Sequence, residues 1–451
     1  MAGPRSFTAR LQATLDSRGL LTGAAQSLVT KLVALPVIAV VGILITRIVI
    51  DALGVSGYGI YALIVGLAAL IPFIDLGVGA AVTDAVSRRD AMPEGHTEHV
   101  LRTSFRTLTA LGVLISAVAW AMAALGVWAP LIGAPTSGEV EVACAAAITW
   151  FAMTLPLSLS ARMLQGAERN HLAVAAQVLA GITALVVVLV ARALDAPLWL
   201  FVSAPFLGAL AVAVVTHQLA ARVTGLSLIR LGWMPHAPTI IGAAPRIATV
   251  AGPMLIVALA EPVAWQADRL ILSHWAGVEA VAIYALAFQL FAPLSSLAAT
   301  SGQSLWPVFA KRRTHGPVER GEWWRTTVVF TTLGVGMGVA LILLGPWLTR
   351  LMSKDAVDVP MSVFVAFAAL LILFAAWLPS GMLLTDPRGL RVQAVLAAGQ
   401  VACNIPLSIL LAKEWGAVGP VVASAIVIGA WQTYGWWYAW RSTRPREGAP
   451  T

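Results

Sequence analysis

The chain has 451 residues, 59% hydrophobic and 11% charged, with a mean hydropathy of +0.85 and a formal net charge of +8. Soluble domains carry roughly 25% charged residues, so the composition excludes a soluble enzyme, a disordered chain and a disulfide scaffold. Long apolar runs also exclude a porin-type barrel, whose strands alternate polar and apolar positions. What remains is an all-α polytopic membrane protein, with apolar residues enough for a dozen spans of about 20 residues each.

From the N-terminus, residues 1–20 mix Arg5, Arg10 and Arg18 with Phe7, Leu11 and Leu15. They read either as a short helix on the inner leaflet or as an ordinary basic flank, and not as a cleaved signal peptide. Twelve spans are then expected, near 25–50, 58–82, 107–132, 142–164, 172–191, 197–219, 247–272, 277–302, 326–349, 361–384, 391–412 and 418–440. The longest polar stretches between them are 83–106, 220–246 and 303–325. With the N-terminus inside, 22 of the 29 basic residues fall on the cytoplasmic side and six on the opposite side, with Lys31 inside span one. That bias supports both termini in the cytoplasm and an even number of spans, and the location expected is the cell inner (plasma) membrane, multi-pass. It also accounts for the +8 without nucleic acid as a partner. Cys144 and Cys403 both lie in apolar runs with no C-x-x-C spacing, and read as small buried hydrophobes rather than as a metal site or disulfide. No cofactor is implied.

The sequence repeats. Residues 54–63 read GVSGYGIYAL and residues 277–286 read GVEAVAIYAL, with six of ten positions identical at an offset of 223. Both segments join the first span of a half to its second. The repeat divides the chain into two six-helix lobes, 1–220 and 221–451, and an even span count makes them parallel repeats. Their relating axis is then a pseudo-two-fold along the membrane normal, with a cleft between the lobes.

LGVSGYGIYALIVGLAALIPFIDLGVGAAV resembles the first-loop and second-helix signature of the polysaccharide-exporter flippases. These are the Wzx-like branch of the multidrug/oligosaccharidyl-lipid/polysaccharide exporter superfamily. ADRLILSHWAGVEAVAIYALAFQL resembles the counterpart that opens the second half, and WGAVGPVVASAI a late glycine-rich motif. Pro420 departs from that motif, standing where a small residue is usual. The resemblance runs over about 25–440 and implies translocation of a polyprenyl-diphosphate-linked oligosaccharide between leaflets by alternating access.

Ionisable groups at membrane depth cost about 2.5–3.5 kcal/mol each on insertion scales, so they usually face a cavity or a partner. Lys31, Arg47 and Arg269 are the candidates for gripping a diphosphate in the cleft, since guanidinium groups chelate phosphate through paired hydrogen bonds. Arg47 and Arg269 could instead snorkel to the outer interface, and Arg269 could pair with Asp268 or Glu279. Lys31 could snorkel inward. Glu261, Asp75 and Asp268 are the candidate coupling or cleft carboxylates, serving a proton or sodium ion. Glu261 sits mid-span before Pro262 and could also pair with Lys31, whereas Asp75 could be structural. Nine tryptophans, among them Trp323, Trp324, Trp436, Trp437 and Trp440, fall near span ends, as an interfacial belt requires.

The partners expected are therefore a polyprenyl-diphosphate-linked glycan, membrane lipids and a coupling ion. Two other readings compete. A cation-coupled multidrug exporter would use the acidic residues for cationic drugs. A polyprenyl-dependent glycosyltransferase or polymerase would need catalytic groups on a sizeable outer loop, and the expected outer loops are short. No Walker A, H-E-x-x-H or G-x-S-x-G motif occurs, so enzymatic chemistry lacks support.

Overall fold

A computed structural model describes residues 39–66, 78–233, 266–303, 305–313 and 316–443. Lys31, Asp75 and Glu261 lie outside the described residues, as does the flank 1–20. No β-strand occurs among the described residues, which form α1 (Ala39–Gly66), α2 (Val78–Ser87), α3 (His96–Ala124), α4 (Trp128–Ile132) and α5 (Gly138–Gly166). Next come α6 (Asn170–Ala193), α7 (Leu198–Thr224), α8 (Leu228–Gly232), α9 (266–275), α10 (Val278–Gln303) and α11 (Leu305–Arg313). The chain ends in α12 (Arg320–Ser353), α13 (Met361–Leu383), α14 (Pro387–Trp415) and α15 (Gly419–Ser442). Among the described residues nine helical stretches are long and apolar enough to cross a membrane, one of which, Arg388–Ser442, holds both α14 and α15. The fold is thus all-α and polytopic.

Several helices overrun the boundaries that hydropathy sets. The polar stretch 83–106 is largely helical: α2 runs to Ser87, and α3 starts at His96 rather than at 107. Likewise α12 starts at Arg320 rather than at 326. Hydropathy marks where hydrocarbon ends, whereas a helix continues until its hydrogen-bond ladder is broken or capped. At α14 the cap is legible: Asp386 accepts from the backbone N–H of Arg388 (3.2 Å) and Gly389 (3.3 Å), ahead of Pro387 in the first turn. Pro420 also has a plain physical place. It occupies the first turn of α15, where its missing N–H has no helical partner to lose.

Two compact units can be distinguished. One falls within Met1–Ile48, Pro72–Val127 and Glu141–Ile240. In it, α3 and α5 approach closely at Gly112, where a Cβ would lie 2.9 Å from the Ala152 carbonyl oxygen. Between α6 and α7, a Cβ on Gly208 would lie 2.3 Å from the Ala180 carbonyl oxygen. Apolar surface offers helices no driving force to associate inside lipid, so such backbone-close packing supplies it.

The other unit falls within Val49–Ile71, Trp128–Val140 and Ile241–Thr451. Its longest helix, α12, packs a stripe of Gly334, Gly338 and Gly345 against Ala375, Ala368 and Phe364 of α13. An aromatic cluster of Tyr284, Phe288, Phe291 and Phe367 fills the space beside α10, with ring centroids 5.1–6.3 Å apart. Cys144 is buried, as expected, but Cys403 is exposed on α14. Hydrocarbon can solvate a thiol on a helix this apolar, so an apolar run does not by itself imply an interior position.

Arginines expected to set topology also hold helix ends. Arg89 donates to the terminal carbonyl of α7 at Thr224 (2.7 Å), and Arg106 to that of α8 at Gly232 (3.0 Å). Arg313 donates to that of α13 at Leu383 and to the Thr385 hydroxyl. Each satisfies an orphan carbonyl at the negative end of a helix dipole.

Candidate functional site

The repeat marks the place. Gly54 and Gly277 hold matched positions, and both adopt left-handed backbone, with φ of 73° and 89°. L-residues with a Cβ avoid that region, so glycine is what the matching turns demand. Helical residues continue on either side of Gly54, and 55–66 run antiparallel to α9. Ser56 lies beside Glu279, Gly59 beside Val278, and Ala62 and Gly66 beside Arg269. A Cβ on Gly59 would fall 2.1 Å from the Val278 carbonyl oxygen, so the two backbones touch there.

Ser56 and Glu279 are themselves 223 positions apart, and the Ser56 hydroxyl donates to the Glu279 carboxylate. Both residues fall within the second compact unit. Beside them, Lys354 donates to Asp51.

Arg269 lies eight positions before Gly277, and Ala62 eight positions after Gly54. At 1.5 Å per residue both are about 12 Å below their turns. The guanidinium Nη1 donates to the Ala62 carbonyl (2.9 Å), and Cζ lies 5.2 Å from the Phe288 ring centroid. Tyr58, Tyr61 and Tyr284 are within its electrostatic reach. Its Nε is buried and has no hydrogen-bond partner among the described residues, as is true of Gln266 Oε1 one turn earlier. Both side chains crowd Gly66, where a Cβ would lie 2.5 Å from Gln266 Oε1 and 2.6 Å from Arg269 Nη1.

Neither of the two described carboxylates that the sequence offers as partners pairs with Arg269. Asp268 is 1% exposed and points elsewhere, accepting from Tyr284 (3.4 Å) and Ser408 (3.3 Å). Adjacent residues on a helix project about 100° apart, which separates the two side chains. Glu279 is taken by Ser56. Among the described residues Arg269 has no ion pair. The arrangement is a cation inside the apolar span, held by one carbonyl and one ring face.

Of the residues singled out in the sequence, Asp268 and Arg269 are neighbours on α9 with separate surroundings. Arg47 is half-buried on α1 and belongs to the first compact unit. The sequence did not single out Gln266, Ser408, or the tyrosines as site residues. The signal for Tyr61 and Tyr284 was present, because they are a matched pair among only five tyrosines.

The sequence profile of the polysaccharide biosynthesis protein family matches residues 19–312, about two thirds of the chain. The chain belongs to this family. No curated protein matches it by sequence. Among solved structures it is similar to the lipid II flippase MurJ in an inward closed conformation, with a TM-score of 0.67 and 13% identity. That alignment covers 91% of this chain and 87% of the other. A multidrug resistance MATE family transporter of the MOP superfamily, inward-facing, aligns with a TM-score of 0.65 and 13% identity over 93% and 98% of the two chains. A Pyrococcus furiosus MOP-superfamily transporter, described as having a binding pocket of reversed polarity, aligns at 0.56 and 12% identity over 92% and 95%. The family member therefore has the two-lobe fold of MOP-superfamily transporters.

Proposed function

We propose that this family member is a flippase that moves a polyprenyl-diphosphate-linked oligosaccharide from the cytoplasmic to the outer leaflet for cell-surface polysaccharide biosynthesis. In this reading it works by alternating access between lobes 1–220 and 221–451, sits in the inner membrane with both termini cytoplasmic, and catalyses no covalent chemistry. The observation that carries the proposal is that Arg269 has no ion pair among the described residues. A cation in an apolar span with no carboxylate partner among them is poised for an anion, and a diphosphate brings one. The Arg269 Nε, which meets no acceptor among the described residues, is a donor available to a phosphate oxygen. Lys31 and Arg47 are proposed to complete the cationic path, with Glu261, Asp75 and Asp268 as the carboxylates available to a coupling proton or sodium ion.

The family assignment and the MurJ-like fold support the flippase reading. The MATE-like fold is equally compatible with a cation-coupled drug exporter, but an unneutralised arginine repels a cationic drug. Proteoliposomes separate the two. Radiolabelled polyprenyl-diphosphate oligosaccharide should become accessible on the opposite leaflet with wild-type protein. Absence of sugar translocation together with proton-driven dye efflux would establish the exporter instead.

A further inference from the structure

At the basic end of the second unit, the start of α12 and the end of α15 enclose a cleft of about 540 Å³. Its walls are Arg320, Trp323, Trp324, Trp436, Trp437 and Trp440. The Arg320 guanidinium lies 4.2 Å from the Trp440 ring centroid, and Arg441 stacks 4.0 Å from that of Trp437. The Trp323 indole N–H is already used by Ser380 (3.1 Å). Two other donors are not: Arg320 Nε and Trp436 Nε1 are both buried without a hydrogen-bond partner among the described residues. Glu322, the carboxylate in the first turn of α12, is committed to Arg312 at 2.9 Å.

A buried donor left unsatisfied is unfavourable, and two of different chemistry lining one cleft point to a shared acceptor. Around them the wall is almost entirely indole, with Trp324, Trp437 and Trp440 each more than 40% exposed. Indole rings settle at the boundary between headgroups and acyl chains. A water-soluble anion would match the donors but leave this apolar wall unused. A lipid acyl chain alone would match the wall and leave the donors unmet. The ligand that meets both has a phosphate with an apolar body attached.

We infer that the cleft between α12 and α15 is a binding site for an anionic glycerophospholipid. Its phosphate accepts from Arg320 Nε and Trp436 Nε1, and its glycerol and upper acyl chains lie against Trp324, Trp437 and Trp440. Basic pockets at the membrane boundary are well suited to anionic headgroups. The site lies away from the Arg269 region in sequence and is independent of what the chain transports.

The test is thermal unfolding of the full-length protein in detergent, titrated with phosphatidylglycerol or phosphatidylcholine. Native mass spectrometry counts the lipids bound. Phosphatidylglycerol should raise the wild-type midpoint and appear as a bound adduct, and phosphatidylcholine should do neither. Arg320→Gln and Trp436→Phe should each need roughly tenfold more phosphatidylglycerol, the loss expected for one charge-assisted or buried hydrogen bond. Trp436→Phe keeps the ring, so it reads the site even if Arg320→Gln folds poorly. Arg325→Gln, an exposed cation one turn away, should respond as wild type. The inference is overturned if both lipids act alike, or if the two cleft variants keep the wild-type response. It is also overturned if Arg325→Gln loses as much as Arg320→Gln, or if inorganic phosphate alone reproduces the shift. Displacement of phosphatidylglycerol by a lower concentration of short-chain polyprenyl diphosphate would reassign the cleft to substrate.

Discussion

Replacing Arg269 by Met tests whether this cation serves substrate or structure. Its hydrogen bond to the Ala62 carbonyl is charge-assisted and contributes about 1.5–3 kcal/mol. The stacking over Phe288 adds about 0.5–2 kcal/mol. Against these stands the burden of a charge at membrane depth, about 2.5–3.5 kcal/mol on insertion scales. The opposing terms nearly cancel, so Arg269→Met should change unfolding free energy by no more than about 1–2 kcal/mol. Had Arg269 been neutralised by Asp268 or Glu279, the substitution would strand a carboxylate and cost about 3–5 kcal/mol. Stability is read by denaturant titration in mixed micelles, and function by leaflet-to-leaflet movement of labelled polyprenyl-diphosphate oligosaccharide. We expect near-native stability with flipping reduced at least about tenfold, the cost of losing one strong phosphate contact. Arg269→Lys should be intermediate, because it keeps the charge and loses the fork. Wild-type flipping by Arg269→Met would refute the diphosphate role. A stability loss above about 3 kcal/mol would show instead that Arg269 is one half of a structural ion pair.

Four further outcomes are expected. Gly59→Ala should destabilise by about 1–3 kcal/mol, because its Cβ would meet the Val278 carbonyl backbone at 2.1 Å and no flexible tip can give way; unchanged denaturation would show that the two segments do not touch. Ser56→Cys paired with Glu279→Cys, in a chain whose Cys144 and Cys403 are replaced by Ser, should crosslink on mild oxidation, seen as a gel shift after cleavage between the two positions. Failure to crosslink would remove the contact between repeat equivalents. Asp268→Leu should cost about 1–3 kcal/mol for each of the two hydroxyls it leaves without an acceptor, whereas Asp268→Asn retains an acceptor oxygen and should cost less; equal midpoints for the two variants would contradict this. Arg313→Gln should lower the unfolding midpoint by more than Arg312→Gln, since Arg313 holds the end of α13 and Arg312 makes a surface pair with Glu322.

What could be read from the sequence follows from which physical signals are local. Hydropathy placed the spans of α10, α13 and α15 within a residue or two, because burial in lipid demands an uninterrupted apolar run. It missed the start of α3 because the helix runs through polar sequence back to Gly95, whose left-handed backbone breaks the ladder. The repeat was legible as matched glycines and tyrosines, yet its consequence was not. Ser56 and Glu279 differ in type, so no identity count would pair them, and only the three-dimensional contact shows that equivalent positions meet. The same applies to charge. Arg269 was visible as a cation in an apolar span, with Asp268 beside it as the obvious partner. Sequence adjacency was misleading, since successive helical side chains diverge by about 100° and Asp268 found hydroxyls on α10 and α14 instead. Counting charges therefore gives a neutral pair, whereas tracing hydrogen bonds gives a satisfied carboxylate and, among the described residues, a guanidinium without an acidic partner. In a medium where each uncompensated charge is costly, that difference separates a structural pair from a site awaiting an anion.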